Sequence, residues 1–280
     1  MLKISPQIER LITLALEEDL AFGDATSAAC IDPLLAKKAQ FITRQNMILC
    51  GTSLVPHIIS LAGSSLKFYT QYDDSAFVRR GEAFAELQGS VAEILALERT
   101  ILNFLQKLCG ISTYANELTK NLTTLKICDT RKTTPGWRVL EKYAVKVGGA
   151  NNHRFSLSDM ILVKDNHIDA CGDIRSCLEQ IYLNKAPYIP VEVEVRDYEE
   201  LRVALEFSPN VIMLDNMTSQ QIIESLQIVS ESGVDCLIEV SGGITPERLQ
   251  DLEQIGVSLV SMGALTQKSA CIDISLQIES

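Results

Sequence analysis

The chain has 280 residues, 46% hydrophobic and 22% charged, an ordinary globular composition with apolar material for one large core or two smaller ones. Its formal charge of −11 argues against nucleic-acid or anionic-membrane partners, which need an extended basic face. The eight cysteines show no CxxC pair or zinc-ligand spacing and read as small buried hydrophobes; with no signal core and no apolar run of about 18 residues, a reduced cytoplasmic setting is expected.

Ser5 followed by Pro6 predicts a helix start, an N-cap and then a proline whose missing donor costs nothing in the first turn. That helix is expected to run through IERLITLALEEDL and stop near Gly23. From Lys37 to Leu87 the β-like runs AQFITR, LKFYTQY and AFAELQG are broken by Gly51, Gly63, Gly81 and Gly89, the pattern of a small mixed α/β unit. VAEILALERTILNFLQKLCGISTYANEL, from Val91, has helical periodicity, with a bend expected at Gly110.

After Leu125 the rhythm becomes strand, loop, helix, in the runs LKICDTR, MILVKD, IPVEVEV, VIMLDN, CLIEVSG and LVSMG. Helices between the last four open with Asp197 and Glu200, Thr218 and Gln221, and Thr245 and Pro246. Such units imply parallel strands with crossover helices, in an open doubly wound sheet or a barrel. Polar or glycine residues at nearly every strand end favour a barrel, where all ends converge on one mouth.

Between Arg131 and Lys164 stand Arg131, Lys132, Arg138, Lys142, Lys146, Arg154 and Lys164 against only Glu141 and Asp159. Arg131, Lys132 and Lys164 fall where strands end, so they and Arg154 suit a small, multiply anionic ligand. Lys142 and Lys146 lie on a helix and are expected in solvent. His153, in a glycine-led loop, is placed to donate to an anion; His167 is equally suited to capping and to substrate contact.

Glu192 and Glu194 alternate with valines and so share a face, with Glu194 nearer the strand end. Asp215 ends VIMLD in the same way. These acids suit ribose hydroxyls, Mg²⁺ or a developing positive charge. SGGIT at Ser241 to Thr245 and SMGAL at Ser261 to Leu265 let backbone amides of Gly242, Gly243 and Gly263 approach a phosphate.

Taken together, EEDLAFGDATS, ERTILNFLQKLCGIST, DTRKTTPGWRVLEKYAVKVGGANNHR, VKDNHI, EVEV, MLDN, EVSGGI and SMGALT make the chain resemble the quinolinate phosphoribosyltransferases. That resemblance covers nearly the whole length. It implies an N-terminal open-faced α/β sandwich with a long connecting helix (1–112), an incomplete six-stranded α/β barrel (113–268) and a tail (269–280) returning to the first domain. It implies transfer of phosphoribose from phosphoribosyl pyrophosphate to quinolinate with loss of carbon dioxide, giving nicotinate mononucleotide.

By the same resemblance Thr130, Arg131, Lys132, His153, Arg154 and Lys164 hold the dicarboxylate, while Glu194 and Asp215 serve the ribose and Mg²⁺, directly or through water. Lys132, Lys164, Glu194 and Asp215 are the expected catalytic groups. Ser241, Gly242, Gly243 and Gly263 receive the 5′-phosphate, and Arg99 reaches a neighbouring subunit's site in a homodimer or larger assembly. Gln267 stands where many relatives have histidine, and cannot carry its charge. The rivals are another pyridine-carboxylate phosphoribosyltransferase or a molybdenum-associated paralogue, a Schiff-base aldolase using Lys164, and a non-catalytic anion sensor.

Overall fold

Ser5 caps α1 (Pro6–Leu20) as its side chain dictates: in the computed structural model, which describes residues 2–279, the hydroxyl accepts the Ile8 N–H at 3.4 Å. Asp24 caps α2 (Ala25–Cys30) by accepting the Thr26 and Ser27 N–H groups. The chain forms two compact units, neither continuous in sequence. One comprises Met1–Glu117, Lys132–Ala150 and Ala264–Ser280; the other comprises Leu118–Arg131 and Asn151–Gly263.

In the first unit the three expected β runs become β1 (Ala36–Thr43), β3 (Lys67–Thr70) and β5 (Ala83–Ser90). Short β2 (Met47–Ile48) and β4 (Phe77–Val78) pair separately, and α3 (Leu54–Leu61) lies between β2 and β3 in sequence. The C-terminal β12 (Ile274–Ile278) joins β1 antiparallel, giving the sheet order β12-β1-β5-β3. Its core includes Phe41, Phe84 and Leu87, and Phe41 packs against the Phe84 and Phe68 rings at 5.9 and 6.2 Å.

α4 (Val91–Thr119) runs as one helix through Gly110, where a bend is expected from the sequence. That glycine serves packing: a Cβ at Gly110 would lie 2.1 Å from the Ala270 carbonyl oxygen. Ile272 N–H donates to Gln106 O and Gln106 Nε2 to Ile274 O, lacing the tail to the helix. α5 (Arg138–Val147) packs on α4 through Gly148, where a Cβ would meet Ser112 O at 2.3 Å, and through the Phe104–Trp137 ring stack at 4.7 Å. Lys146 is exposed as expected, but Lys142 is not. It is only 2% exposed, because the α5 face bearing Glu141, Lys142 and Val145 is packed rather than solvated.

The second unit holds all six strands anticipated after Leu125: β6 (Lys126–Cys128), β7 (Ile161–Val163), β8 (Val191–Val195), β9 (Val211–Asp215), β10 (Leu237–Ser241) and β11 (Leu259–Ser261). They are parallel, in the order β6-β11-β10-β9-β8-β7, an incomplete α/β barrel. α6 (Asp165–Cys171), α7 (Ile174–Asn184), α8 (Tyr198–Glu206), α9 (Ser219–Ser232) and α10 (Pro246–Ile255) intervene, and α11 (Ala264–Gln267) follows β11 in the first unit.

Asp197 caps α8, and Thr218 with Gln221 forms the reciprocal box opening α9. Glu253 on α10 accepts the Thr123, Thr124 and Leu125 N–H groups at 2.7, 2.7 and 3.1 Å, which anchors the entry to β6 and holds its carboxyl down at about 2. No disulfide joins the cysteines. Four of the eight are buried, but Cys30, Cys171 and Cys271 are exposed, because they sit at helix ends and in the tail rather than in strands.

Gly110→Ala would force a methyl group into the tail backbone. Overpacking of this kind costs about 1–3 kcal/mol, on the order of 5 °C in Tm for a chain of this size. A thermal melt is expected to show that drop; an unchanged Tm would contradict the close approach.

Candidate active site

The strand register decides which side chains meet. Glu192 pairs with Val211, Glu194 with Met213, Met213 with Glu239, and Asp215 with Ser241. Paired neighbours point the same way and alternate residues share a face, so Glu192, Glu194, Asp215, Glu239 and Ser241 lie on one side of the sheet. Val191, Val193 and Val195 take the other. Glu192 and Glu239 are 1% exposed and Glu194 is 8% exposed. That many acids on one buried face demand compensation.

Lys164, immediately after β7, supplies part of it as the ion-pair partner of Glu194 Oε2. Burial raises the Glu194 carboxyl; Lys164 pulls it down, and the charges of Asp215 and Asp165 push it up again. The Lys164 N–H donates to His167 Nδ1 at 3.0 Å, so of the two readings of His167 the geometry favours the cap.

The loop after β6 and the segment Asn151–Arg154 carry the other cations. Asp129 is fully buried, accepting His153 N–H at 2.9 Å and Asn152 Nδ2 at 2.6 Å. His153 Nδ1 accepts the Arg154 N–H at 2.7 Å. Its Nε2 lies 3.1 Å from Glu192 Oε2 and 3.6 Å from Glu239 Oε1. Although the separation from Glu192 is that of a hydrogen bond, the alignment is not, and both Glu192 oxygens and Glu239 Oε1 are buried without a hydrogen-bond partner.

The Arg154 Nη1 donates to Met160 O at 3.1 Å. Burial, then the charge of Arg131, lowers the affinity of Arg154 for its proton, while Glu192 and Asp159 oppose this. Two guanidinium groups that repel each other are thus held in one neighbourhood, an arrangement that a multiply charged anion would relieve. Thr130 and Arg131 are half-buried.

At the far strand ends, Asn216 N–H donates to Ser241 O at 3.0 Å and Asn216 Nδ2 to Asp215 Oδ2 at 2.6 Å. Gly242 (φ +87°) is required there, since a Cβ would lie 2.2 Å from Asn216 Oδ1. Gly243 is exposed beside it, and Gly263 is half-buried after β11. Thr245 makes no side-chain cap bond at the start of α10. Glycine backbone and a helix start suit a phosphate.

Lys132 is exposed in the first unit, its carbonyl accepting the Thr266 hydroxyl at 2.7 Å. Arg99 is exposed on α4, and Gln267 on α11. Glu239 was not singled out from sequence, although it stands two residues before Ser241 and must share its face. His153, Glu192 and Glu239 together resemble a three-ligand metal cluster, with donor atoms within 4.8 Å of one another. The Arg154 N–H on Nδ1 puts the ring proton on Nε2, however, and that opposes a metal there.

Burial, then the charge of Glu192, pushes the Glu239 carboxyl up to about 7 against the pull of His153. A raised acid binds more protons folded than unfolded, so its contribution to stability is lost as pH rises from the ordinary glutamate range through 7. Glu239→Gln is therefore expected to gain stability relative to wild type on going from pH 5 to pH 8, by at most about 3 kcal/mol. Thermal melts across that range check this, and parallel curves would contradict it.

Residues 24–109 match the family described as quinolinate phosphoribosyl transferase, N-terminal domain, and residues 111–277 match its C-terminal domain. A probable carboxylating nicotinate-nucleotide pyrophosphorylase of Bacillus subtilis is 36% identical, over 97% of this chain and 93% of the relative. A decarboxylating quinolinate phosphoribosyltransferase of Nicotiana glauca is 35% identical, over 98% and 82%. The solved nicotinate-nucleotide pyrophosphorylase of Francisella tularensis superposes with a TM-score of 0.91 at 36% identity, covering 99% of this chain and 98% of that one. The chain belongs to the quinolinate phosphoribosyl transferase family.

Proposed function

We propose that the chain transfers phosphoribose from phosphoribosyl pyrophosphate to quinolinate with decarboxylation, yielding nicotinate mononucleotide, pyrophosphate and carbon dioxide for NAD biosynthesis. Family membership supports the reaction. The observation that carries the substrate is the gathering of Arg131 just after β6, Arg154, whose proton affinity the Arg131 charge lowers, and Lys164 at the end of β7. A pyridine with two adjacent carboxylates matches that density of cations better than a monocarboxylate does. Lys164 is already paired with Glu194, and no feature makes it a separate amine nucleophile.

Arg131 and Arg154 hold the carboxylates, with Thr130 and His153 beside them. Lys164 exchanges its Glu194 contact for a substrate carboxylate, and Glu194 and Asp215 then face the ribose. As the C1′–O bond to pyrophosphate breaks, the carbon gains positive character that these two acids stabilise, and the pyridine nitrogen takes the bond. The quaternised ring accepts the electron pair left when the C2–carboxylate bond breaks, and C2 then takes up a proton. Ser241, Gly242, Gly243 and Gly263 receive the 5′-phosphate.

Glu194 and Asp215 also fit Mg²⁺: they are hard oxygen donors, and a cation would relieve the repulsion between them. Bound there, Mg²⁺ would neutralise charge on the pyrophosphate. The roles of Lys132 as a catalytic group and Arg99 as a neighbouring subunit's ligand in a homodimer rest on family resemblance alone. A chain without disulfides suits the reducing cytoplasm.

Incubation with quinolinate, phosphoribosyl pyrophosphate and Mg²⁺ is expected to give nicotinate mononucleotide and carbon dioxide in equal amounts. Arg131→Ala and Lys164→Ala are expected to fold normally and lose turnover by about 10²-fold or more. Consumption of nicotinate instead, or near wild-type kinetics in both variants, would contradict the proposal.

A further inference from the structure

Glu192 has no part in the chemistry above, yet it is 1% exposed, with neither carboxylate oxygen hydrogen-bonded. Keeping a carboxylate so placed costs several kcal/mol unless opposite charge faces it. What faces it is His153 Nε2 at 3.1 Å; its charge also favours the protonated form of Arg154, which the charge of Arg131 disfavours. Glu239, 1% exposed two strands away in the sheet order, is a second acid facing the same histidine, and a hydrogen bond from Ser261 and the charge of Lys164 also act on it.

Resting on the quinolinate reading, we propose that Glu192 is a positioning residue: it holds the His153–Arg154 segment so that the Arg154 guanidinium stays beside Arg131, ready for a dicarboxylate. Three contacts converge on this. Asp129 fixes the His153 backbone, the Arg154 N–H is tied to the His153 ring, and the far side of that ring faces Glu192. Without the Glu192 charge, Arg131 and Arg154 would repel each other with one compensating group fewer. The segment would then pay for its order when the ligand binds. Glu192 touches no reacting atom in this arrangement; it acts through its neighbours.

The test is a double-mutant cycle on quinolinate affinity, measured by calorimetry on the full chain, with turnover recorded alongside. Glu192→Gln replaces a buried charge by a near-isostere and is expected to keep its Tm. It should lose about tenfold or more in quinolinate affinity, with the KM for phosphoribosyl pyrophosphate changed less than about twofold. In an Arg154→Ala background the same change should cost little further, because the group it positions is gone.

Additive losses, equal rises for both substrates, or unchanged quinolinate affinity would each overturn the role. So would stoichiometric metal in the purified protein that Glu192→Gln removes. If Glu192→Gln does not fold, Glu192→Asp, with its charge withdrawn by one methylene, is expected to show the same split between substrates. A wild-type protein that binds no quinolinate and makes no nicotinate mononucleotide contradicts the functional reading itself; wild-type turnover with an additive cycle contradicts only the role of Glu192.

Discussion

The pairing of β8, β9 and β10 puts Glu192, Glu194, Asp215 and Glu239 on one face of a parallel sheet, and the rest of the site follows from that crowding. Like charges buried away from water cannot stand alone. They are answered by Lys164 from the end of β7 and by His153 and Arg154 from a loop tied to Asp129, while burial and the Glu192 charge push the Glu239 carboxyl up toward its neutral form. Cations and acids hold one another in place before any substrate arrives, which is preorganisation in its electrostatic sense.

The same face carries two groups of side chains at its strand ends. Arg131, Arg154 and Lys164 stand at or just beyond the ends of β6 and β7 and in the loop between them, whereas Asp215, Ser241 and the glycines end β9, β10 and β11. Glu194, near the end of β8, touches Lys164 and repels Asp215, so it links the two groups. In the proposed reaction Glu194 faces the ribose and Lys164 a carboxylate, so their contact would let the binding of one substrate alter the field met by the other.

Much of this was legible in the sequence because strands and their ends leave strong signals. The six apolar runs, the alternation of Glu192 and Glu194, the Thr218–Gln221 cap and the cationic block all rest on local periodicity or capping chemistry, and the family motifs named the chemistry outright. What stayed hidden needs the third dimension. Lys142 looked solvated because a helix lysine usually is, yet the α5 face bearing it is packed. Nothing local tells that Gly110 is also a clearance for the tail backbone 160 residues further on. The joining of Glu239 to Glu192 through His153 depends on which strands are neighbours, and that order cannot be read from spacing along the chain.

A structure of the protein with quinolinate bound shows whether these cations hold the dicarboxylate. One carboxylate is expected on the Arg131 and Arg154 guanidinium groups, the other on Lys164 with its Glu194 contact released, and the ring nitrogen directed toward Glu194 and Asp215. Quinolinate seated elsewhere, or bound with the Lys164–Glu194 pair intact and Arg154 turned away, would contradict this.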